Sequence, residues 1–397
     1  MHDDGPKVVQ LDCETVNPHH GQSTIESMPA PIRSNILAMS PYSPGKPIDE
    51  VKRELGLTEV VKLASNENPL GPSPLAVAAV RAAAEHMHLY PDAASYDLRK
   101  KLSEHFGVDY NQVLVGNGSD EIIHLLGQIF LGGPDDEIVV GYPSFVRYDA
   151  AAHLADCQIK RVPLDSSLTH DLDAMAAAVG PKTRLVWIAN PNNPTGTIIR
   201  KAEFEAFLDK MPSHVTVVLD EAYFEYAQGV PDFPNSVDYV KAGRSVIGLR
   251  TFSKAYGLAG IRVGYGFASP DVVDAINRAR EPFHVNSLAH AAACAALDDT
   301  DFIQRTVAAN ADGLRILEEA FRSVGAKPIE SFANFVCADL GRPAKPVFEA
   351  LLKRGVIVRS GHVLGLDNYL RVSIGTNLEN EKFAQALVEA MKELVPA

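Results

Sequence analysis

The chain has 397 residues, 46% hydrophobic and 22% charged, an ordinary globular composition with enough length for two or three domain-sized units. A formal net charge of −13 argues against any broad basic surface for nucleic acid or anionic lipid. Cys13, Cys157, Cys294 and Cys337 form no CxxC pair or zinc spacing, no long uncharged apolar run occurs, and residues 1–22 lack a basic-then-apolar leader, so a cytoplasmic chain without metal or membrane span is expected.

In chain order, residues 1–30 show little hydrophobic periodicity and read as a flexible tail. Pro29, Pro31, Pro41, Pro44 and Pro47 then punctuate an arm, residues 31–73, in which regular helix is not expected. From 74 to 298, β-rich runs alternate with helical patterns. The expected strands are Glu137–Tyr142, Arg184–Asn190, Thr216–Asp220, Ser245–Arg250 and Arg262–Ala268, with helices such as Glu121–Leu131 and Lys201–Lys210 between them. Such alternation predicts an α/β domain with a mostly parallel sheet and helices on both faces. Residues 299–397 begin with a helical stretch through Phe302–Val324 and then change pattern. Short runs at Asn334–Leu340, Val356–Arg359 and Tyr369–Ile374, with helices near Pro346–Arg354 and Glu379–Leu394, predict a smaller α+β domain.

The segment from Thr251 to Arg262 carries the most chemistry. Lys254 sits among hydroxyls, small residues and glycines just after an expected strand, as a buried amine would. A Schiff-base lysine needs such a setting, because desolvation or cationic neighbours lower its pKa. The run Val217–Leu219 ends in Asp220, the arrangement by which a parallel strand delivers a carboxylate to the ligand-binding edge of a sheet. Taken alone, Asp220 fits a turn cap equally well. Asn190-Pro191-Asn192-Asn193-Pro194-Thr195-Gly196 is a rigid turn presenting amides, or simply a tight structural turn. Gly116-Asn117-Gly118-Ser119-Asp120 precedes a helix, whose free N–H groups suit a phosphate, although an ordinary Ser/Asp cap explains the same letters.

In combination and in this order, these segments resemble the aspartate-aminotransferase superfamily of fold type I pyridoxal-phosphate enzymes. Within it they are similar to the histidinol-phosphate aminotransferases. The resemblance runs from roughly Arg33 to the C-terminus and rests on Asn-Pro-Thr-Gly, Asp-x-x-Tyr, and Ser-Lys with an arginine eight residues on. Ser65-Asn66-Glu67-Asn68-Pro69 and Leu370-Arg371-Val372-Ser373-Ile374-Gly375-Thr376 narrow the branch. Phe145 and Leu89 depart from it, since tyrosine and arginine are common there.

The resemblance implies pyridoxal 5′-phosphate held as a Schiff base on Lys254, with Asp220 keeping the pyridine nitrogen protonated. Asn193 and Tyr223 would hold the ring's 3-oxygen, and Phe145 would stack on the ring. The backbone N–H groups of Ser119 and Asp120, the hydroxyls of Thr251 and Ser253, and Arg262 would bind the phosphate. Tyr90 is implied to reach that phosphate from a partner subunit, hence a homodimer with shared sites. Tyr42 and Arg359 would contact substrate, and Arg371 would be its principal anion anchor. The implied reaction transfers the amino group of a donor, histidinol phosphate, to a 2-oxo acid, 2-oxoglutarate. An aromatic amino acid aminotransferase on the same scaffold, a related lyase or decarboxylase, and a cofactor-binding regulator without turnover are the competing readings.

Overall fold

The computed structural model describes residues 30–39, 41 and 46–394. In chain order its strands are β1 (Val61–Lys62), β2 (Val113–Gly116), β3 (Glu137–Tyr142), β4 (Gln158–Pro163), β5 (Thr183–Ala189), β6 (Thr216–Asp220) and β7 (Val246–Thr251). They continue with β8 (Gly264–Phe267), β9 (Lys327–Pro328), β10 (Phe335–Asp339), β11 (Val356–Ile357), β12 (Arg359–Ser360) and β13 (Tyr369–Ser373).

Seven strands form the large sheet in the order β2-β8-β7-β6-β5-β3-β4. The five strands from β4 to β7 run parallel, and β8 is antiparallel to both of its neighbours. Parallel strands need crossover connections, and helices supply them on both faces. One face packs Leu185, Trp187 and Val218 against Ile122 and Leu126 of the helix Ser119–Phe130. The other packs Val186, Ile188 and Val217 against Phe204 and Phe207 of the helix Lys201–Asp209. Burial from both sides is why β5 and β6 read as unbroken apolar runs instead of alternating ones.

A second, four-stranded antiparallel sheet has the order β12-β13-β10-β9. Its core joins Val336, Leu370 and Val372 to Leu317 and Phe321 of the long helix Thr300–Ser323 and to Phe383 of the last helix, Asn377–Glu393. β1 pairs in parallel with β11, so the early residues Val61 and Lys62 are tied to this unit.

The sequence-based reading differs from the structure in several places: the two-residue strands β1 and β9 are not expected, and the single run expected at Val356–Arg359 divides into β11 and β12. β2 and β4 were not expected, because β2 has only four residues and β4 is an edge strand whose largely exposed side chains leave no apolar period. β8 starts at Gly264 and not at Arg262, whose φ of 62° is left-handed and breaks the ladder. The arm is not free of helix. It contains the single turn Ser34–Leu37 and the helix Ile48–Leu55, which Pro47 precedes as N-cap with extended backbone.

Candidate functional site

Parallel strands deliver their last residues to one edge of a sheet, and that edge is where a ligand crevice forms. Here the carboxyl ends of β5, β6 and β7 open into a cavity of about 780 Å³, closed from the other side by β12, β13 and the segment around Asn66. Of the candidates above, Lys254, Asp220, Tyr223 and Asn193, the phosphate set around Arg262, Phe145, and both Arg359 and Arg371 line it. Tyr90 does not. It is 82% exposed, stacks on Phe283 at 4.6 Å between ring centroids, and borders a separate shallow depression with Leu89 and Asn286. Tyr42 lies outside the described residues, while Ile36, Met39 and Pro41 just before it line the cavity.

Lys254 sits in the loop that follows β7, folded back on itself by bonds from Leu258 N–H to the Phe252 carbonyl and from Gly257 N–H to the Lys254 carbonyl. Its Nζ donates to the Ser65 carbonyl at 3.2 Å and lies 5.9 Å from the Tyr223 ring centre. Although part of the side chain remains open to the cavity, desolvation lowers its pKa to about 8, with the charges of Arg371 and Arg262 acting in the same direction. A lysine so placed has a substantial neutral fraction near neutral pH.

Asp220 ends β6 and is 3% exposed. Its Oδ2 accepts from the Tyr148 hydroxyl at 2.7 Å and its Oδ1 from the Ala222 N–H at 3.2 Å. Burial pushes its pKa up to about 6 and nearby Asp120 adds to that, against the two hydrogen bonds that favour the ionised form. A buried carboxylate in this state favours a cation opposite it.

Arg262, the Ser119 end of a twelve-residue helix, Ser253 and Thr251 form a cup at one end of the cavity. Arg262 donates to Ser253 Oγ at 3.3 Å and to the Ala259 carbonyl at 3.0 Å, and lies 3.5 Å from Asp120 Oδ2. The cup exists only because two glycines lack side chains. A Cβ on Gly118, whose φ is 78°, would overlap the Arg262 guanidinium, and one on Gly264 would overlap the Ser119 amide nitrogen. Helix-start N–H groups, hydroxyls and a guanidinium fit a phosphate dianion.

At the opposite wall Tyr223 Oη accepts from Asn66 Nδ2 at 2.9 Å and from Asn193 Nδ2 at 3.4 Å. Asn193 Oδ1 accepts in turn from Arg371 Nη1 at 2.5 Å, and Arg371 Nη2 donates to the Ala64 carbonyl at 2.9 Å. Arg359 and Arg371, twelve residues apart in sequence, are direct cross-strand partners in the β12–β13 ladder. Like charges facing each other across a ladder cost stability, and an anion between or above them relieves that cost.

Three cavity residues were not singled out from the sequence. Asn66 belongs to the Ser65–Pro69 segment, but its left-handed φ of 55° and its bonds to Tyr223 and Ser373 across more than a hundred residues leave no local signature. Tyr148 and Arg147 start a short helix, Arg147–Leu154, with almost no periodic pattern. A tyrosine three residues after the expected ring-stacking Phe145 is the one available hint, since both then face the same way on a helical turn. Among the described residues no helix is long and apolar enough to cross a membrane, and no three His, Cys, Asp or Glu side chains gather as metal ligands do.

The family model for aminotransferase class I and II matches residues 58–387. The chain is 49% identical over 360 residues to a histidinol-phosphate aminotransferase of Moorella thermoacetica, covering 90% of this chain and 92% of that one. It is 49% identical over 351 residues to a histidinol-phosphate aminotransferase 2 of Pseudomonas fluorescens, covering 88% and 94%. Among solved structures, the histidinol-phosphate aminotransferase of Sinorhizobium meliloti in complex with pyridoxal-5'-phosphate is similar with a TM-score of 0.86 at 28% identity, over 93% of this chain and all of that one. The aspartate aminotransferase of Thermus thermophilus with maleate shares the fold at a TM-score of 0.79 and 22% identity, over 91% of this chain and 99% of that one.

Proposed function

This chain belongs to the class I and II aminotransferases, and on that premise we propose that it moves the amino group of histidinol phosphate to 2-oxoglutarate with pyridoxal 5′-phosphate as cofactor. The observation that carries this reading is the convergence of Lys254, Asp220, the Arg262 cup and the Arg359–Arg371 pair on one cavity. The substrate follows from the names of relatives at 45–49% identity. The division into an arm (31–73), a large cofactor domain (74–298) and a small domain (299–397) is part of the same proposal.

When bound, the cofactor supplies a carbonyl carbon to which amines attach and a protonated ring that withdraws electrons. The chain's own residues do the rest. The cup of Ser119, Asp120, Thr251, Ser253 and Arg262 would hold the phosphate, Phe145 would face the ring, and Asn193 and Tyr223 would hold its 3-oxygen. Asp220 would favour a proton on the ring nitrogen. Lys254 would tether the cofactor, and its Nζ, with a pKa lowered to about 8 by burial, would be the base that takes the proton from the substrate's α-carbon. Arg371 takes the acceptor's α-carboxylate, and Arg359 takes the distal anion, phosphate or carboxylate. Tyr42, outside the described residues, would contact the substrate.

Tyr90, exposed and outside its own chain's cavity, serves the phosphate of a partner subunit in a homodimer with shared sites. We place the enzyme in the cytoplasm, with the amino donor and 2-oxo acid as its small-molecule partners and neither nucleic acid nor membrane.

The test is a spectrophotometric half-reaction of purified holoenzyme with single amino donors. Histidinol phosphate should convert the bound cofactor to its amine form, with kcat/KM well above that for phenylalanine or tyrosine. Conversion by the aromatic amino acids but not by histidinol phosphate would replace this reading with that of an aromatic aminotransferase.

A further inference from the structure

At the cavity wall, the ring of Tyr148 is fully buried and lies flat against Trp187, 4.8 Å between centroids and 14° from parallel. Its edge meets Phe145 at 5.7 Å in a T-shaped contact, and its hydroxyl donates to Asp220 Oδ2 at 2.7 Å. Trp187 belongs to β5, Asp220 to its neighbour β6, and Tyr148 to the helix Arg147–Leu154 above them, so one side chain joins three elements at the point where two expected ring contacts meet. We infer that Tyr148 is a positioning residue for Asp220: its phenol fixes the rotamer of the carboxylate and favours its ionised form toward the ring nitrogen.

This inference rests on the reading of Asp220 as the partner of that nitrogen. Three features support it. Oδ2 takes a phenol and Oδ1 takes the Ala222 N–H, so both carboxylate oxygens are held and rotation about the side chain is closed off. The phenol is a permanent donor, because burial and the Asp220 charge push its own pKa far up. The bond is shielded from bulk solvent, because Tyr148 is fully buried and Asp220 nearly so, which strengthens it. The groups facing Asp220 are then Tyr148 from the helix, Asp120 from the cup and Glu221, the first residue after the strand. Both carboxylates oppose its ionisation, and the phenol counteracts them.

The experiment compares wild type, Tyr148→Phe, Asp220→Asn and a chain carrying 3-fluorotyrosine at position 148, a stronger donor of nearly the same size. Asp220 is followed first in the cofactor-free protein by carbon NMR of labelled aspartate, with Asp220→Asn assigning its signal. Tyr148→Phe should move the Asp220 midpoint up by about 1 pH unit, the size of one lost charge-assisted hydrogen bond, and the fluorinated chain should move it down. In the holoenzyme half-reaction, Tyr148→Phe should lower kcat about tenfold at and below about pH 5, where Asp220 is mostly protonated in both chains, with KM unchanged, and regain rate as pH rises. The idea fails if Asp220 titrates alike in all chains, or if the Tyr148→Phe loss is the same at every pH. Undiminished half-reaction rates in Asp220→Asn would instead overturn the assignment of Asp220 itself.

Discussion

The two ends of the cavity are built differently. The end around Lys254 and Arg262 is a product of one sheet edge: Asp220 is the last residue of β6, Thr251 the last of β7, and Ser253, Lys254 and Arg262 lie in the loop and turn that follow. The substrate end is a product of register, in which Arg359 and Arg371 meet only because β12 pairs antiparallel with β13, and Asn66 joins them from a segment some three hundred residues earlier. Groups fixed by one strand end tolerate no shift of that strand, whereas groups fixed by pairing depend on the whole small sheet. The first end suits a tightly held cofactor, and the second suits substrates that come and go.

Perturbing the first end should give the largest effect. Lys254→Ala should remove essentially all transamination and the absorbance of lysine-bound cofactor, because among the described residues no other lysine lines the cavity. Turnover at the wild-type rate, with reducible cofactor attached elsewhere, would show that the contrast between the two ends is misdrawn.

Perturbing the second end should give smaller, ligand-dependent losses that sharpen the comparison. Each charge-assisted arginine contact contributes roughly 1.5–3 kcal/mol, or about ten- to a hundredfold in kcat/KM. Arg371→Leu should cause such a loss for histidinol phosphate, glutamate and phenylalanine alike, since its Nη1 also positions Asn193. Arg359→Leu should do so for histidinol phosphate and glutamate while leaving phenylalanine nearly unchanged. Equal losses for all three in Arg359→Leu would reject its distal-anion role.

The smallest effect concerns stability without cofactor. The pKa of Lys254 falls to about 8 in the folded chain from the 10.5 of an ordinary lysine, so folding is penalised wherever the unfolded lysine is charged and the folded one resists charge. That penalty is fully present below about pH 8 and fades as pH rises toward 10.5. Cofactor-free Lys254→Met should therefore unfold at higher denaturant than wild type at pH 7, by on the order of 1–2 kcal/mol given the side chain's partial exposure, with the advantage shrinking at pH 10. An advantage independent of pH would point to packing instead of charge.

Why the first end was legible in the sequence and the second only in part follows from the same contrast. An apolar run ending in Asp220 and a lysine in a hydroxyl-rich loop after a strand carry their chemistry in consecutive letters, because strand, edge and loop are local. The spacing of Arg359 and Arg371 showed two guanidinium groups in apolar runs, but their pairing across β12 and β13 is a matter of register. The resemblance to known aminotransferases added roles for Asn193, Tyr223 and the Arg262 cup, while Asn66 and Tyr148 stayed hidden. Their partners, Ser373, Tyr223 and Asp220, are distant in sequence. β4 escaped for a different reason, since an exposed edge strand needs no apolar pattern.

By itself, the sequence determined the alternation that makes a doubly covered parallel sheet, the carboxylate at the end of β6 and the lysine after β7, because each is set by a few neighbouring residues. Only the tertiary structure decided which asparagine turns toward Tyr223, that two arginines stand opposite one another, and that a buried phenol holds Asp220. Those contacts depend on how separate segments pack and pair, and local sequence exerts no direct physical control over that.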